Sequence, residues 1–153
     1  MPKVQTARGG KVPFEFSTTA KEIFGEDFAA EGFFGDVKVF GEVEDVGKNF
    51  VVRGRIECQK NFTCDRCLTP ATESQAHDFD EEFAKAEVID ELIDVTELLR
   101  DVVLASQPMK NLCKTDCKGL CPVCGANLNE GDCGCDRFIV DPRLASLTEL
   151  KLS

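Results

Sequence analysis

Asn111-Leu112-Cys113-Lys114-Thr115-Asp116-Cys117-Lys118-Gly119-Leu120-Cys121-Pro122-Val123-Cys124-Gly125, running on to Cys133-Gly134-Cys135-Asp136, is the stretch on which the reading of this chain turns. It is rich in Cys and Gly and poor in large apolar side chains, so it cannot order itself by burial. Cys121-Pro122-Val123-Cys124-Gly125 is its sharpest signal. A Cys-x-x-Cys turn followed by glycine lets two thiolates face one metal while backbone N–H groups donate to the sulfurs. Cys133 and Cys135 complete four thiolates within fifteen residues, which suits a closed, tetrahedral Zn²⁺ site with no position left for water or substrate.

A second set lies apart. Cys64-Asp65-Arg66-Cys67 is another Cys-x-x-Cys, and Cys113 and Cys117 stand four apart. Nine cysteines in all divide into two sets of four plus Cys58, which reads as a small core residue on a strand. One zinc is therefore expected at Cys121, Cys124, Cys133 and Cys135. A second would sit at Cys64, Cys67, Cys113 and Cys117, clamping the tail to the sheet. An interleaved grouping, with Cys113 or Cys117 joining the Cys121 turn, fits the spacing as well. Cys64 and Cys67 also read as plain reduced thiols or as a redox pair.

Upstream, the hydrophobic period is two. Val37, Val39, Gly41 and Val43 alternate with Lys38, Phe40, Glu42 and Glu44. After Gly47-Lys48-Asn49, Phe50, Val52, Gly54, Ile56 and Cys58 alternate with Val51, Arg53, Arg55 and Glu57. This predicts an antiparallel hairpin, with a further strand over 73–83 carrying His77, Phe79 and Phe83 on one face. Phe14 and Phe16 alternate like a short strand. Phe24, Phe28, Phe33 and Phe34 form an apolar cluster broken by Gly25, Gly32 and Gly35, against a long helix. A helix is expected over 94–107: Asp94 and Glu97 resemble a capping box. Leu98, Val102 and Ala105, flanked by Leu99 and Val103, form its apolar stripe, and Pro108 ends it. Asp141-Pro142 opens a short terminal helix bearing Leu144, Leu147 and Leu150.

The expected architecture is α+β: a small, mostly antiparallel sheet with a packed helix over 1–108, and a cysteine-rich, zinc-binding tail over 109–153. The N-terminus has no signal-peptide pattern and no stretch has the length of a membrane span, so a cytoplasmic protein is expected. There thiols stay reduced, which favours metal over disulfides.

Net charge is −10, a poor footprint for wrapping nucleic acid. Ten acids against Lys85 and Arg100 crowd residues 78–101. Local basic stretches are Lys3, Arg8 and Lys11, and Lys110, Lys114 and Lys118. No hydrolase triad, HExxH, phosphate loop or dinucleotide fingerprint occurs, and the single His77 lies far in sequence from any cysteine pair. No enzymatic activity and no small-molecule substrate are expected.

Several of these residues form a recognisable pattern. Ile93-Asp94, the helix ending at Pro108, Leu112-Cys113, Asp116-Cys117-Lys118-Gly119-Leu120-Cys121-Pro122, Cys124-Gly125, Asn127-Leu128-Asn129, Cys133, Cys135 and Asp141-Pro142-Arg143-Leu144 resemble the YceD family. Cys64, Arg66-Cys67-Leu68 and Pro70 resemble its earlier motif. Its members are large ribosomal RNA subunit accumulation proteins. The resemblance implies a non-enzymatic factor supporting 23S rRNA accumulation and large-subunit biogenesis. Its partner would be the large-subunit precursor, contacted through a basic ribosomal protein or through 23S rRNA. The alternatives are a thiol-disulfide redox protein using Cys64 and Cys67, which predicts a helix starting at that motif, and a zinc-ribbon adaptor module.

Overall fold

A computed structural model of the chain describes residues 2–6, 8–26, 31–138 and 140–150. Phe28, assigned above to the aromatic cluster, lies outside the described residues. The chain divides into two compact units, Met1–Phe62 with Pro70–Asn111, and Thr63–Thr69 with Leu112–Ser153. The sequence reading places one boundary after residue 108. The division instead groups the loop 63–69 with the cysteine-rich segment.

The first unit is built on four strands, β2 (Lys11–Thr19), β3 (Phe33–Asp45), β4 (Asn49–Thr63) and β5 (Pro70–Ala84), hydrogen-bonded in that order. The period-two pattern produces the hairpin it predicts: β3 and β4 pair antiparallel with Val43 opposite Val52 and Val39 opposite Ile56. Those four residues, with Val37 and Phe50, are buried. The alternate residues carry charge. Arg53 donates to Asp80 at 2.9 Å and Arg55 to Asp78 at 2.7 Å, and Thr72 reaches Asn61 at 2.7 Å. These contacts step in opposite directions along β4 and β5, as an antiparallel pair requires. Exposed ion pairs of this kind contribute little because water screens them, so the buried face sets the register. Gly54 sits opposite Gly41 on that face. A methyl group on Gly54 would meet the Phe79 ring at 2.8 Å, so the buried Phe79 ring fills the gap the glycine leaves.

Two short strands that period analysis does not reveal, β1 (Lys3–Gln5) and β6 (Leu92–Asp94), pair with each other, Val4 opposite Ile93. Two helices complete the unit. α1 (Ala20–Phe24) starts on Thr19, whose hydroxyl accepts from the Glu22 N–H at 3.4 Å. Its Phe24 ring stacks on Phe33 with centroids 4.5 Å apart, whereas Phe34 is exposed.

α2 (Thr96–Ala105) is the helix expected over 94–107, two residues shorter at each end. Its N-cap is Val95, without a side-chain cap bond, and Asp94 just before it accepts from the Thr96 N–H and hydroxyl at 2.9 and 2.6 Å. The apolar stripe is rotated from the expected one: Val95, Leu99 and Val103 are fully buried, Leu98 and Val102 only partly, and Ala105 is exposed. Before Pro108, the Gln107 side chain donates to the Val103 carbonyl at 2.8 Å and accepts from the buried Lys60 ammonium at 2.9 Å. Lys60 also lies over the Phe33 ring. His77, half-buried, stands 3.3 Å from Gln75 Oε1. No helix among the described residues is long and apolar enough to cross a membrane.

In the second unit the terminal helix is a short 3₁₀ helix, Ala145–Glu149, and Leu144, Leu147 and Leu150 are exposed rather than packed.

The rotated stripe makes a direct prediction. Leu99→Ala should lower unfolding stability by about 2–5 kcal/mol, the range for a fully buried leucine. Leu98→Ala should cost clearly less, as read by urea denaturation of the two variants. A larger loss at Leu98 than at Leu99 would show that the stripe is centred on Leu98, Val102 and Ala105 after all.

Candidate metal centres

Both Cys-x-x-Cys turns share one backbone design. The N–H of Cys64 donates to the Thr69 carbonyl at 3.0 Å and the Leu68 N–H to the Cys64 carbonyl at 2.9 Å. In the second turn, the Cys121 N–H donates to the Ala126 carbonyl at 2.8 Å and the Gly125 N–H to the Cys121 carbonyl at 2.9 Å. Each turn is therefore closed by the same two bonds at the same offsets. The fifth residue is left-handed in both, φ +57° at Leu68 and +75° at Gly125. Glycine adopts that conformation freely and leucine does so under strain. The 64–67 segment is a turn, without the helix a redox Cys-x-x-Cys would start.

The sulfurs fall into two groups. Those of Cys64, Cys67, Cys113 and Cys117 lie within 4.8 Å of one another, and so do those of Cys121, Cys124, Cys133 and Cys135. The interleaved grouping does not occur. All four thiols of the first group belong to the second unit, the 64–67 turn being the connection from β4 to β5. In the first group Cys64 stands 3.7 Å from Cys117 and Cys67 stands 3.6 Å from Cys113. Four thiolates around one ion at about 2.3 Å would be spaced by about 3.8 Å. Two of the six edges of that tetrahedron already have this length in the first group, and the rest are within 4.8 Å.

This first centre is enclosed. Cys64, Cys67 and Cys117 are buried, Cys113 is an exposed residue, and Leu112 packs against the cluster. Asn129 holds it from the side: its Nδ2 donates to the Cys117 sulfur at 3.4 Å, and its Oδ1 accepts from the Lys118 N–H at 2.9 Å. The Thr69 hydroxyl is 3.3 Å from Cys67, and Arg66 donates to the Cys117 carbonyl at 3.0 Å. These supporting side chains play the part that outer-shell groups play at metal sites. Sequence reading quoted Arg66 and Asn129 only as motif letters and gave neither a role. Asn129 lies two residues past Asn127, whose Oδ1 accepts from the Asn129 N–H at 3.0 Å, an Asx turn that the Asn-x-Asn spacing announces.

Lys118-Gly119-Leu120 joins the first centre's Cys117 to the second centre's Cys121. Leu120 donates to the Arg66 carbonyl at 3.2 Å and Leu128 to the Gly119 carbonyl at 2.9 Å. Gly119, at φ +76°, passes so close that a methyl group would lie 3.1 Å from that Arg66 carbonyl. In the second centre Cys121 is buried, Cys133 and Cys135 are half-buried and Cys124 is exposed. The Val123 N–H donates to the Cys121 sulfur at 3.4 Å.

The thiols are tuned in opposed directions within each group. The Cys67 and Cys113 backbone N–H groups, with that of Arg66, pull the Cys64 thiol down to about 6. Those of Cys124 and Val123 do the same to Cys121, also to about 6. The Thr69 hydroxyl lowers Cys67. Conversely, loss of water around its sulfur, and then the thiols of Cys67, Cys117 and Cys64, push Cys113 up to about 12. The thiols of Cys124 and Cys133 push Cys135 up to about 12. Without a cation each group keeps a proton at neutral pH because one more thiolate would face the others' charge. A divalent cation removes that obstacle, so each group could hold one metal ion. Cys58 is different: buried in the first unit's core, its thiol is pushed up to about 11 by burial alone, the inert residue that the cysteine count left over.

Cys113→Ser and Cys124→Ser should each lower bound metal from the two ions per chain that two groups can hold to one. Cys58→Ser should leave the content unchanged. Elemental analysis of the reduced, dialysed proteins reads this out, and an unchanged count in either of the first two variants removes the corresponding centre.

Comparisons with known proteins bear on the same region. The family model "Large ribosomal RNA subunit accumulation protein YceD" matches residues 52–151, a span holding every cysteine of both centres. An uncharacterised protein of Mycobacterium tuberculosis (strain ATCC 25618 / H37Rv) is 31% identical over 122 residues, covering 71% of this chain and 58% of its own. An uncharacterised Mycobacterium leprae protein is 30% identical over 122 residues, with coverage of 71% and 56%. The chain thus spans little more than half the length of these relatives. The chloroplastic large ribosomal RNA subunit accumulation protein YCED homolog 1 of Arabidopsis thaliana is 37% identical over 59 residues, 39% of this chain and 18% of its own. No solved structure matches. On the family match, the chain belongs to the YceD family of large ribosomal RNA subunit accumulation proteins.

Proposed function

We propose that this protein is a non-enzymatic, cytoplasmic factor that supports 23S rRNA accumulation, and so assembly of the large ribosomal subunit, with two structural zinc ions. The observation that carries the proposal is the family match over 52–151, together with the Arabidopsis relative named for large-subunit rRNA accumulation. Zinc follows from the ligands: four thiolates with no open position suit Zn²⁺ of the structural kind. The zinc would be held by Cys64, Cys67, Cys113 and Cys117, and by Cys121, Cys124, Cys133 and Cys135. Its chemistry there is to neutralise and fix the thiolates.

The partner we favour is the large-subunit precursor, engaged through a basic ribosomal protein. The basic N-terminal stretch is already answered by carboxylates: Arg8 pairs with Glu91, and Lys11 lies 3.0 Å from Glu42 and 3.5 Å from Glu44. Cations spent on internal acids contribute little to phosphate binding. The net charge of −10 attracts a basic polypeptide and repels bare RNA.

Cells lacking the protein should show a lower ratio of 23S to 16S rRNA on total-RNA electrophoresis, restored by the wild-type chain. An unchanged ratio would end the proposal. Crosslinked, nuclease-treated pull-downs should retain basic ribosomal proteins; recovery of rRNA fragments alone would end the protein-docking part.

A further inference from the structure

The two centres have the same ligands and the same turn, yet their surroundings differ. In the first, Cys64, Cys67 and Cys117 are buried, Leu112 covers the cluster, and Asn129 and Thr69 hold two of its sulfurs. In the second only Cys121 is buried. Cys124 is exposed, Cys133 and Cys135 are half-buried, and Val123 beside Cys124 and Phe138 beyond Cys135 are 52% and 80% exposed. Each centre has one exposed cysteine residue, so the contrast lies in its partners. Cys67, 3.6 Å from Cys113, could resolve an oxidised Cys113 as readily, but the first centre offers an oxidant only that one exposed residue, whereas three of the second centre's four cysteines are exposed or half-buried. Susceptibility of thiolates to oxidants follows their accessibility, and a nearby resolving sulfur turns the first oxidation into a disulfide.

From this contrast we infer that the centre of Cys121, Cys124, Cys133 and Cys135 is an oxidant-operated release site, and that the centre of Cys64, Cys67, Cys113 and Cys117 is permanent. The inference rests on the two-zinc reading above. The oxidant is a peroxide. The Cys124 thiolate attacks one oxygen of hydrogen peroxide, breaking the O–O bond to give a sulfenic acid and hydroxide. The Cys135 sulfur, within 4.8 Å of that of Cys124, then attacks the sulfenic sulfur as the thiolate, forming the S–S bond and expelling a second hydroxide. Two thiolates lose two electrons in total and one peroxide gains them. The ion keeps two ligands, Cys121 and Cys133, and leaves as the divalent cation while those sulfurs take up protons from water. The segment 121–135, which has almost no buried apolar side chains beyond Leu128, loses the clamp that orders it. The Cys64 turn and its partners keep theirs.

The experiment uses the full, zinc-loaded chain with a colorimetric zinc indicator present. Hydrogen peroxide should release half of the bound zinc in a fast phase, and the other half should stay until a mercurial blocks the remaining thiols. Peptide mapping after the fast phase should place the new disulfide between Cys124 and a cysteine of its own group, and limited proteolysis should become fast within 121–150 only. Loss of both ions at one rate, release of neither, or a first disulfide among Cys64, Cys67, Cys113 and Cys117 overturns the inference while leaving the two-zinc reading intact. A starting content below two ions per chain sinks both, before any peroxide is added.

Discussion

Mutual repulsion among sulfurs governs the second unit. Four thiol groups within 4.8 Å cannot all ionise in the absence of a cation. Their proximity is nevertheless built into the backbone: two turns closed by identical hydrogen bonds, a glycine on which a methyl group would lie 3.1 Å from a carbonyl, and an asparagine bracing a sulfur. That backbone encloses little oil. Among the described residues of 112–150, Leu128 is the one large aliphatic side chain that is buried, while binding of a structural zinc by thiolates contributes roughly 10–16 kcal/mol in small peptides. On the zinc reading the ion would outweigh any packing those residues offer, and folding and metal binding would be one event.

The first unit solves the same problem by conventional means. Valines and isoleucines from β3 and β4 interlock with Phe79, Leu99 and Val103, and each buried aliphatic side chain of this size contributes about 1.5–3 kcal/mol. Cys58 belongs to that core and shows how environment decides what a cysteine is. With apolar neighbours its thiol is raised and inert; Cys64, six residues on, meets backbone N–H groups and is lowered into the range where it binds metal. The boundary between the two regimes falls inside a single β-hairpin, where β4 ends at Thr63 and β5 resumes at Pro70.

How much of this can be read from the chain depends on how each feature repeats. The β3–β4 hairpin declares itself through a strict period of two, and α2 through its acidic start. The face of α2 was misplaced because Leu98, Leu99, Val102 and Val103 admit two stripes, and only the neighbours across the core choose between them. β1 and β6 are three residues each, too short for any period. α1 does not declare itself although Thr19-Ala-Lys-Glu22 carries the Thr-x-x-Glu cap signature; five helical residues between a strand and Gly25 do not build a stripe. Cysteine spacing divides the thiols correctly into two fours, but it also permits interleaving, which only the through-space distances exclude. The 64–67 turn is harder to read than its twin because Leu68 stands where Gly125 stands in the other, hiding a shared left-handed bend behind a residue that rarely adopts it.

Charge carries the argument from the centres to the partner. Four thiolates around a doubly charged cation leave two negative charges per centre, so on the zinc reading the metal-loaded chain is more acidic than its −10 by about four. Lys114 and Lys118 flank the first centre and offset part of this, but they are too few to invert it. A metal-clamped module that gathers negative charge as it folds is a poor clamp for phosphates, whose binding requires cation density. It is a good seat for lysine- and arginine-rich polypeptide, because the surface attracts such a segment over about a Debye length, roughly 8 Å at physiological salt, before any contact forms. On the zinc reading, the same ions that would order the tail would also bias its choice of partner toward protein.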